Sequence, residues 1–197
     1  LRRKLKMQKD KVIVAASGNA GKIREISEIL NDYRVISCKE LGFTDDIEET
    51  GKNFYDNALI KAETVAKALN MPALADDSGL CVTALSGAPG VYSARYSGTG
   101  TDEGNIDKLL KETKNLSDRS AKFVSAVVVY YPDGKIVSAQ GETFGEILRA
   151  RRGNGGFGYD PVFYSYDLKK SFGEASAEEK NSVSHRARAL AELRKKL

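Results

Sequence analysis

The chain has 197 residues, of which 41% are hydrophobic and 29% are charged, a composition typical of a folded globular protein rather than a disordered one. The net charge of +4 arises before Met7, at Arg2, Arg3, Lys4 and Lys6, because 31 basic residues less these four leave 27, equal to the 27 acidic residues. The charge therefore does not predict nucleic-acid binding, no apolar run is long enough to cross a bilayer, and the length suits one two-lobed domain.

The first half of the chain alternates predicted strands and helices. Residues 1–10 are interpreted as a basic tail, and residues 11–197 as a single two-lobed domain. A short apolar run predicts a strand over 11–16, and a helix follows with four apolar residues on one face: Ile23, Ile26, Ile29 and Leu30. A second strand is predicted over 33–37 and a long helix over 53–69, which Pro72 ends.

The second half combines a hairpin with a final helix. Short strands are predicted over 73–75 and 80–85, on either side of an acidic turn, and an irregular loop over 86–101. A helix is expected over 101–113, and strands over 121–131 and 135–147 are joined by Pro132-Asp133-Gly134. The chain ends in a helix with an apolar stripe at Val183, Ala187, Leu190, Leu193 and Leu197. This order predicts an α/β fold with a mixed sheet.

The two cysteines predict no metal site. Cys38 and Cys81 lack Cys-x-x-Cys spacing, and the single histidine cannot complete a zinc site with them. We interpret them as buried, reduced thiols, which is typical of a cytoplasmic protein.

One segment has the composition of a phosphate-binding loop. It lies between the first strand and the first helix and reads Ser17-Gly18-Asn19-Ala20-Gly21-Lys22. A helix start presents free backbone N–H groups and a positive dipole end, and a lysine adds a full charge. The pattern is not a Walker loop, and an ordinary strand-to-helix turn with a solvated lysine is the alternative.

Two adjacent carboxylates follow a buried strand in Ala75-Asp76-Asp77-Ser78-Gly79. Desolvated carboxylates are costly without a cation, and carboxylates with room for waters suit Mg²⁺. Glu48 is a candidate for a further ligand. The alternative is a surface turn, because Asp, Ser and Gly are common turn residues.

Two later segments predict base recognition. In Gly153–Asp160, four glycines surround Phe157 and Tyr159, and an aromatic ring can stack on a base. A flexible loop with its aromatics in the core is the alternative. In the final helix, Lys180, His185 and Arg186 form a donor cluster that could bind purine edge groups or phosphate oxygens, and we expect His185 and Arg186 to lie off the apolar stripe. The alternative for His185 is an exposed surface position without a function.

Together these segments resemble the inosine triphosphate pyrophosphatase family, also called the dITP/XTP pyrophosphatases. The resemblance is based on seven pieces in family order: Ser17–Lys22, Glu48–Gly51, Asn57–Lys61, Ala75–Gly79, Gly87–Arg95, Gly155–Pro161, and Glu179-Lys180 with Ser184-His185-Arg186. They span nearly the whole chain. The resemblance implies an elongated, curved mixed sheet with helices, two lobes around a nucleotide cleft, and a homodimer. From the thiols and the composition we expect a cytoplasmic protein with no membrane or nucleic-acid partner.

The resemblance also implies the reaction and the residue roles. ITP, dITP or XTP would be cut to the monophosphate and pyrophosphate with Mg²⁺. Asp77 would be the proton acceptor, and Glu48 and Asp77 the metal ligands. The other residues would bind substrate: Ser17, Gly18, Asn19, Ala20, Gly21, Lys22, Lys61 and Ser78 the triphosphate and sugar, and Phe157, Gly158, Tyr159, Asp160, Lys180, His185 and Arg186 the base.

Two other functions remain open. A Maf-type pyrophosphatase would act on pyrimidine or other modified nucleotides, but the segments at Phe157 and Lys180 argue against it. A non-catalytic nucleotide sensor would not need a water-activating carboxylate, whereas this chain has Glu48, Asp76 and Asp77 together with phosphate-binding lysines.

Overall fold

The structure, a computed structural model, describes residues 11–197, so the basic tail predicted for residues 1–10 lies outside the described residues. Within that range the fold is mixed α/β, as predicted. The strands are β1 Val12–Ala15, β2 Arg34–Ser37, β3 Ala73–Val82, β4 Ser120–Tyr130, β5 Ile136–Ile147, β6 Phe163–Ser165 and β7 Lys170–Ser171. The helices are α1 Ala20–Ile29, α2 Phe54–Leu69, α3 Asp102–Thr113, α4 Ala177–Val183 and α5 His185–Arg194.

The sheet is mixed. Its strand order is β2-β1-β3-β4-β5-β6-β7. The strand β1 pairs in parallel with both β2 and β3, whereas β6 pairs antiparallel with β5 and β7. The parallel strands follow from the helices α1 and α2, because a parallel connection requires a crossover.

The chain divides into two units, each with its own core. The first unit runs to Asp77 and adds Ala126–Gln140 and Ala189–Leu197. Its core packs apolar side chains of α1 and α2 against those of β1 and β3. The second unit comprises Ser78–Ser125 and Gly141–Arg188, and a group of buried aromatics that includes Phe123, Phe163 and Phe172 lies in its core.

The acidic segment is not a turn. The structure extends β3 without a break from Ala73 to Val82, so Asp76 and Asp77 lie within a strand, and the prediction of two short strands around a turn was wrong. The reason is tertiary, since β3 lies between β1 and β4 in the sheet and each carboxylate has a lysine partner. Successive residues of a strand point to opposite faces, so this strand directs the two carboxylates in different directions.

The final helix is broken at Ser184, which has extended backbone angles. Ser184 ends α4 by donating its N–H to the Lys180 carbonyl, and its hydroxyl accepts the Ala187 N–H at the start of α5. The break changes the helical phase, so His185 and Arg186 are 4% and 1% exposed. The prediction that they lie off the core-facing stripe was wrong, as was the surface alternative for the histidine.

Three further sequence predictions concern the loop over 86–101, the two cysteines and membrane-spanning helices. The predicted irregular loop over 86–101 contains a 3₁₀ helix over Gly90–Arg95. Both cysteines are free thiols as expected, but only Cys38 is buried, whereas Cys81 is half-buried. Among residues 11–197, no helix combines the length and the apolar character needed to span a membrane.

Candidate active site

The predicted phosphate-binding loop joins β1 to α1 in the first unit. Asn19 is the N-cap of α1, and its side chain accepts the Lys22 N–H at 3.0 Å. The Ser17 hydroxyl in turn accepts the Asn19 N–H at 3.1 Å. The amides of Ala20 and Gly21 have no partner inside the helix, because the first turn of an α-helix leaves its N–H groups unsatisfied. The loop therefore has the donors and the positive dipole end that bind a phosphate.

Lys22 connects this loop to the acidic strand. Its ammonium lies 3.0 Å from Asp76 Oδ2 and 3.3 Å from the Asp76 carbonyl oxygen. The Asp76 side chain is fully buried, whereas that of Lys22 retains 16% exposure. Asp76 therefore holds Lys22 in place, and the paired lysine stabilises a carboxylate that is costly to bury alone.

Lys61 of α2 lies against the second carboxylate. Its ammonium is 3.0 Å from Asp77 Oδ1, 2.8 Å from Glu49 Oε1 and 3.3 Å from the Asp76 carbonyl oxygen. Because Lys22 also reaches that carbonyl oxygen, the two ammonium groups lie close together. The first unit thus concentrates two lysines and three carboxylates around residues 76 and 77.

Burial and neighbouring charges together determine the protonation of Asp77 and Lys61. Desolvation raises the pKa of Asp77 above the usual aspartate value, and the positive charges of Lys61 and Lys22 only partly offset it. For Lys61, desolvation lowers the pKa, but the charges of Asp77 and Glu49 outweigh it and the net pKa is raised. Lys61 therefore remains an ammonium, and Asp77 is a better proton acceptor than an ordinary aspartate.

The carboxylates fit a magnesium ion. Glu49 and Asp77 converge on one positive charge, the Lys61 ammonium, which stands where a cation is favoured. Mg²⁺ takes one or two carboxylates and completes its shell with waters and substrate phosphates. The described part of the chain contains no group of three or more His, Cys, Asp or Glu residues placed to hold a metal. The predicted ligand Glu48 is exposed, and its neighbour Glu49 is the residue that faces Lys61.

A further lysine lies beside the phosphate-binding loop. A Cβ built on Gly18 would lie 3.1 Å from the Lys39 Nζ, so the missing side chain of Gly18 leaves room for this ammonium. Lys39 belongs to a 3₁₀ helix over Cys38–Leu41, whose capping box at Ser37 and Glu40 fixes its backbone. The sequence did not single out Lys39, because 21 positions separate it from Gly18.

In the second unit, Lys180 is held in an aromatic and acidic environment. It is 4% exposed, and its ammonium lies 2.6 Å from Asp160 Oδ2. It also lies 4.5 Å from the Phe157 ring centroid and 5.7 Å from that of Phe172. Asp160 Oδ2 additionally accepts the Phe157 N–H at 2.9 Å, so one carboxylate fixes both the lysine and the glycine-rich loop.

Arg186 and His185 are also buried in the second unit. Arg186 donates from Nη2 to Ser78 Oγ at 2.9 Å, and its guanidinium lies 5.7 Å from the Phe157 ring centroid. His185 stacks on Phe123, with ring centroids 4.7 Å apart and an interplanar angle of 12°. The structure therefore brings Ser78, Phe157, Asp160, Lys180 and Arg186 together by direct contacts.

The two aromatics of the glycine-rich loop have different places. Phe157 is half-buried beside the two cations, whereas Tyr159 is 5% exposed and donates its hydroxyl to the Ser93 carbonyl at 2.7 Å. The core alternative is therefore correct for Tyr159. The backbone of the loop is tightly fitted, since Gly156 has φ +74° and a Cβ there would lie 2.0 Å from Asp160 Oδ2. The Gly158 N–H donates to Asp102 at 2.7 Å.

The chain is similar to known proteins over nearly its whole length. The model of the Ham1 family matches residues 13–196. A dITP/XTP pyrophosphatase of Desulfotalea psychrophila is 50% identical over 186 residues, which cover 93% of this chain and 83% of that protein. A dITP/XTP pyrophosphatase of Bacillus cereus is 44% identical, with 97% of both chains covered. The solved structure of the Staphylococcus aureus Ham1 protein is 47% identical, with a TM-score of 0.85, and the match covers 94% of this chain and 97% of that one.

Proposed function

The chain belongs to the Ham1 family, and from this membership we infer that it hydrolyses the non-canonical purine nucleoside triphosphates ITP, dITP and XTP to the monophosphate and pyrophosphate. The observation that carries this function within the molecule is the buried Asp77, whose carboxylate is held 3.0 Å from the ammonium of Lys61. A hydrolase of this kind removes abnormal purines from the nucleotide pool.

The phosphate chain is bound by the first unit in this proposal. The triphosphate oxygens repel an attacking nucleophile, so their charge must be reduced before attack. Lys22 and Lys61 supply two full positive charges, and the amides at the start of α1 supply hydrogen-bond donors. Asp76 would contribute by holding Lys22, because its own carboxylate is fully buried.

Asp77 is the proton acceptor in the proposed mechanism. The attacking water must lose a proton as its oxygen approaches phosphorus, and a carboxylate within hydrogen-bond distance can take it. Asp77 has the raised pKa that favours this role. Bound by Glu49 and Asp77, Mg²⁺ would neutralise phosphate charge and polarise the bond to be broken. The family resemblance instead favours Glu48 with Asp77 as the metal ligands.

The second unit would read the base. Inosine and xanthosine carry an oxygen at purine position six, where adenosine carries an amine. Lys180 and Arg186 are buried donors, so they suit an oxygen and leave the adenine amine without an acceptor. Phe157 lies against both cations and offers a ring face for stacking. Guanine has the same oxygen, so its rejection requires a clash or a missing acceptor at its two-amino group.

Three parts of the proposal rest on the resemblance and on chemical fit: the dependence on Mg²⁺, the homodimer and the cytoplasmic location. The convergence of Glu49 and Asp77 on one cation supports the first. The two free thiols are compatible with a reducing compartment and support the third. Light scattering of the purified protein measures its oligomeric state directly, and a monomer would contradict the proposed homodimer.

A panel of nucleotides tests the function. Pyrophosphate release is measured from ITP, dITP, XTP, GTP, ATP and a pyrimidine triphosphate, with Mg²⁺ and with a chelator. We expect ITP, dITP and XTP to exceed GTP and ATP in kcat/KM by about 10²-fold or more, and the chelator to abolish turnover. Equal rates on all purines would overturn the specificity. Preference for the pyrimidine would favour a Maf-type enzyme, and binding without turnover would favour a sensor.

A further inference from the structure

We propose that Asn57 is the positioning residue of the catalytic carboxylate and that it couples Asp77 to segment 48–51, which contains Glu49. The inference rests on the proposed function, because it concerns the same proton acceptor. Asn57 lies on α2, one turn before Lys61, and it is fully buried. The neutral amide of Asn57 neither titrates nor carries a charge, so it cannot accept the proton in the reaction. Its burial beside Asp77 therefore requires another explanation.

The first contact fixes the direction of the Asn57 amide. Its Oδ1 accepts the Gly51 N–H at 2.8 Å. A backbone N–H can only donate, so the amide oxygen must face Gly51, and the NH₂ group must therefore point the other way. This assignment removes the usual ambiguity between the oxygen and the nitrogen of an asparagine.

The second contact uses the NH₂ group thus oriented. Asn57 Nδ2 donates to Asp77 Oδ2 at 3.2 Å, and Lys61 Nζ donates to Asp77 Oδ1 at 3.0 Å. Each carboxylate oxygen of Asp77 therefore has one donor from α2, and the plane of the carboxylate is set by two groups on one rigid helix. An acceptor held in this way can present its remaining lone pairs to water without a reorientation step.

The third contact is steric and involves Gly51. A Cβ at Gly51 would lie 2.5 Å from Asn57 Oδ1 and 2.7 Å from the Asn57 backbone nitrogen. Gly51 is the last residue of segment 48–51, so the close fit sets the distance between this segment and α2. Asn57 thus holds the segment on one side and Asp77 on the other, and a shift at either contact would be transmitted to the other.

The experiment compares three changes in the whole protein. Asn57→Ala removes both contacts. Asn57→Asp keeps the acceptor for Gly51 but cannot donate to Asp77. Gly51→Ala keeps the amide but displaces it. We expect each to lower kcat by about 10-fold or more, as losses of supporting hydrogen bonds do at other sites, and to change KM for ITP by less than about 3-fold. Thermal unfolding of each variant checks that the fold is retained, and Asn57→Asp keeps the test available if Asn57→Ala does not fold.

A double substitution separates positioning from a general structural role. If Asn57 acts through Asp77, then Asn57→Ala in an Asp77→Asn background should lower the residual turnover by less than about 2-fold. An equal loss in both backgrounds would overturn the proposal, as would unchanged kcat in the single variants.

Calorimetry with Mn²⁺ in place of Mg²⁺ gives a reading that does not depend on turnover. We expect Asn57→Ala to weaken Mn²⁺ binding by about 10-fold, and unchanged affinity would contradict the coupling to segment 48–51. If the wild type cleaves some other nucleotide and none of ITP, dITP and XTP, the proposed function fails, whereas the same comparison on that nucleotide still decides the role of Asn57.

Discussion

The ammonium of Lys61 lies 3.0 Å from Asp77 Oδ1, and this pair joins the helix α2 to the acidic strand β3. The contact determines more than the position of Asp77. Burial raises the pKa of the Asp77 carboxylate, and the positive charge of Lys61 lowers it. The lysine therefore controls how much of Asp77 is ionised at a given pH.

Replacement of Lys61 should therefore change the pH profile. In Lys61→Met the positive charge beside Asp77 is lost, so the pKa of Asp77 rises further above its usual value. A smaller fraction of Asp77 is then ionised at acidic pH, and the acid limb of kcat/KM should move upward by about one pH unit or more. Lys67→Met, an exposed lysine on the same helix, is the control. An acid limb at the same pH in Lys61→Met and wild type would contradict the assignment of Asp77 as the titrating base.

The Asp77→Asn variant should separate activity from stability. We expect turnover to fall by about 10²-fold or more, because the proton acceptor is lost while the shape of the residue is kept. The raised pKa means that the ionised carboxylate is less stable in the folded state than in the unfolded chain. The protein therefore has its full stability at acidic pH, where Asp77 is protonated, and loses part of it as the pH rises through the folded-state pKa of Asp77.

Asp77→Asn should consequently unfold at no lower temperature than the wild type at neutral pH in the presence of a chelator. Thermal unfolding measures this, with Asp46→Asn at an exposed position as the control. Near-normal turnover, or a large loss of stability, would count against the proposed role.

Glutamates 48 and 49 can be distinguished by their magnesium dependence. Glu49 faces Lys61 and Asp77, whereas Glu48 is exposed. If Glu49 is the metal ligand, Glu49→Gln should raise the Mg²⁺ concentration for half-maximal activity by about 10-fold, and Glu48→Gln should change it little. The reverse order would restore Glu48 as the ligand, as the family resemblance implies. The neighbouring residues serve as matched controls for each other.

Gly156 provides a test of the base-reading loop. An alanine there is strained at φ +74° and its Cβ would meet Asp160 Oδ2. Gly158 has φ +59° but nothing within 4 Å of a built Cβ, so Gly158→Ala has similar strain without the clash. We expect Gly156→Ala to reduce the preference for ITP over ATP by about 10-fold, because it displaces the carboxylate that holds Lys180. If Gly156→Ala and Gly158→Ala reduced the preference for ITP over ATP to a similar extent, backbone strain rather than the clash with Asp160 would be the cause.

Lys39 should contribute to binding rather than to turnover. Its ammonium lies next to Gly18 at the positive end of α1, a place where a positive charge is unfavourable unless an anion is bound. We expect Lys39→Met to raise KM for ITP by about 3-fold or more with little change in kcat, and to weaken the dependence of KM on salt. Lys111→Met, at an exposed position on α3, is the control. An unchanged KM would exclude a phosphate contact for Lys39.

The sequence by itself determined the order of the main elements and the family. The helices α1, α2 and α3 follow from apolar periodicity, and the structure adds Asn19, Asn53 and Thr101 as their N-caps. These are local properties, since a cap or an apolar stripe depends on residues a few positions apart. The seven motifs likewise predicted a set of site residues, which stays a prediction, and Lys39, Glu49 and Asn57 were not among its members.

Only the tertiary structure decided which charges meet. Lys22 pairs with Asp76, and Lys61 with Asp77 and Glu49, across separations of 54, 16 and 12 positions. No local pattern specifies such partners, because burial and pairing of charges depend on how distant segments pack. The same packing turned an expected acidic turn into part of β3. It also buried His185 and Arg186 through the break at Ser184, and it placed Asn57 between Gly51 and Asp77.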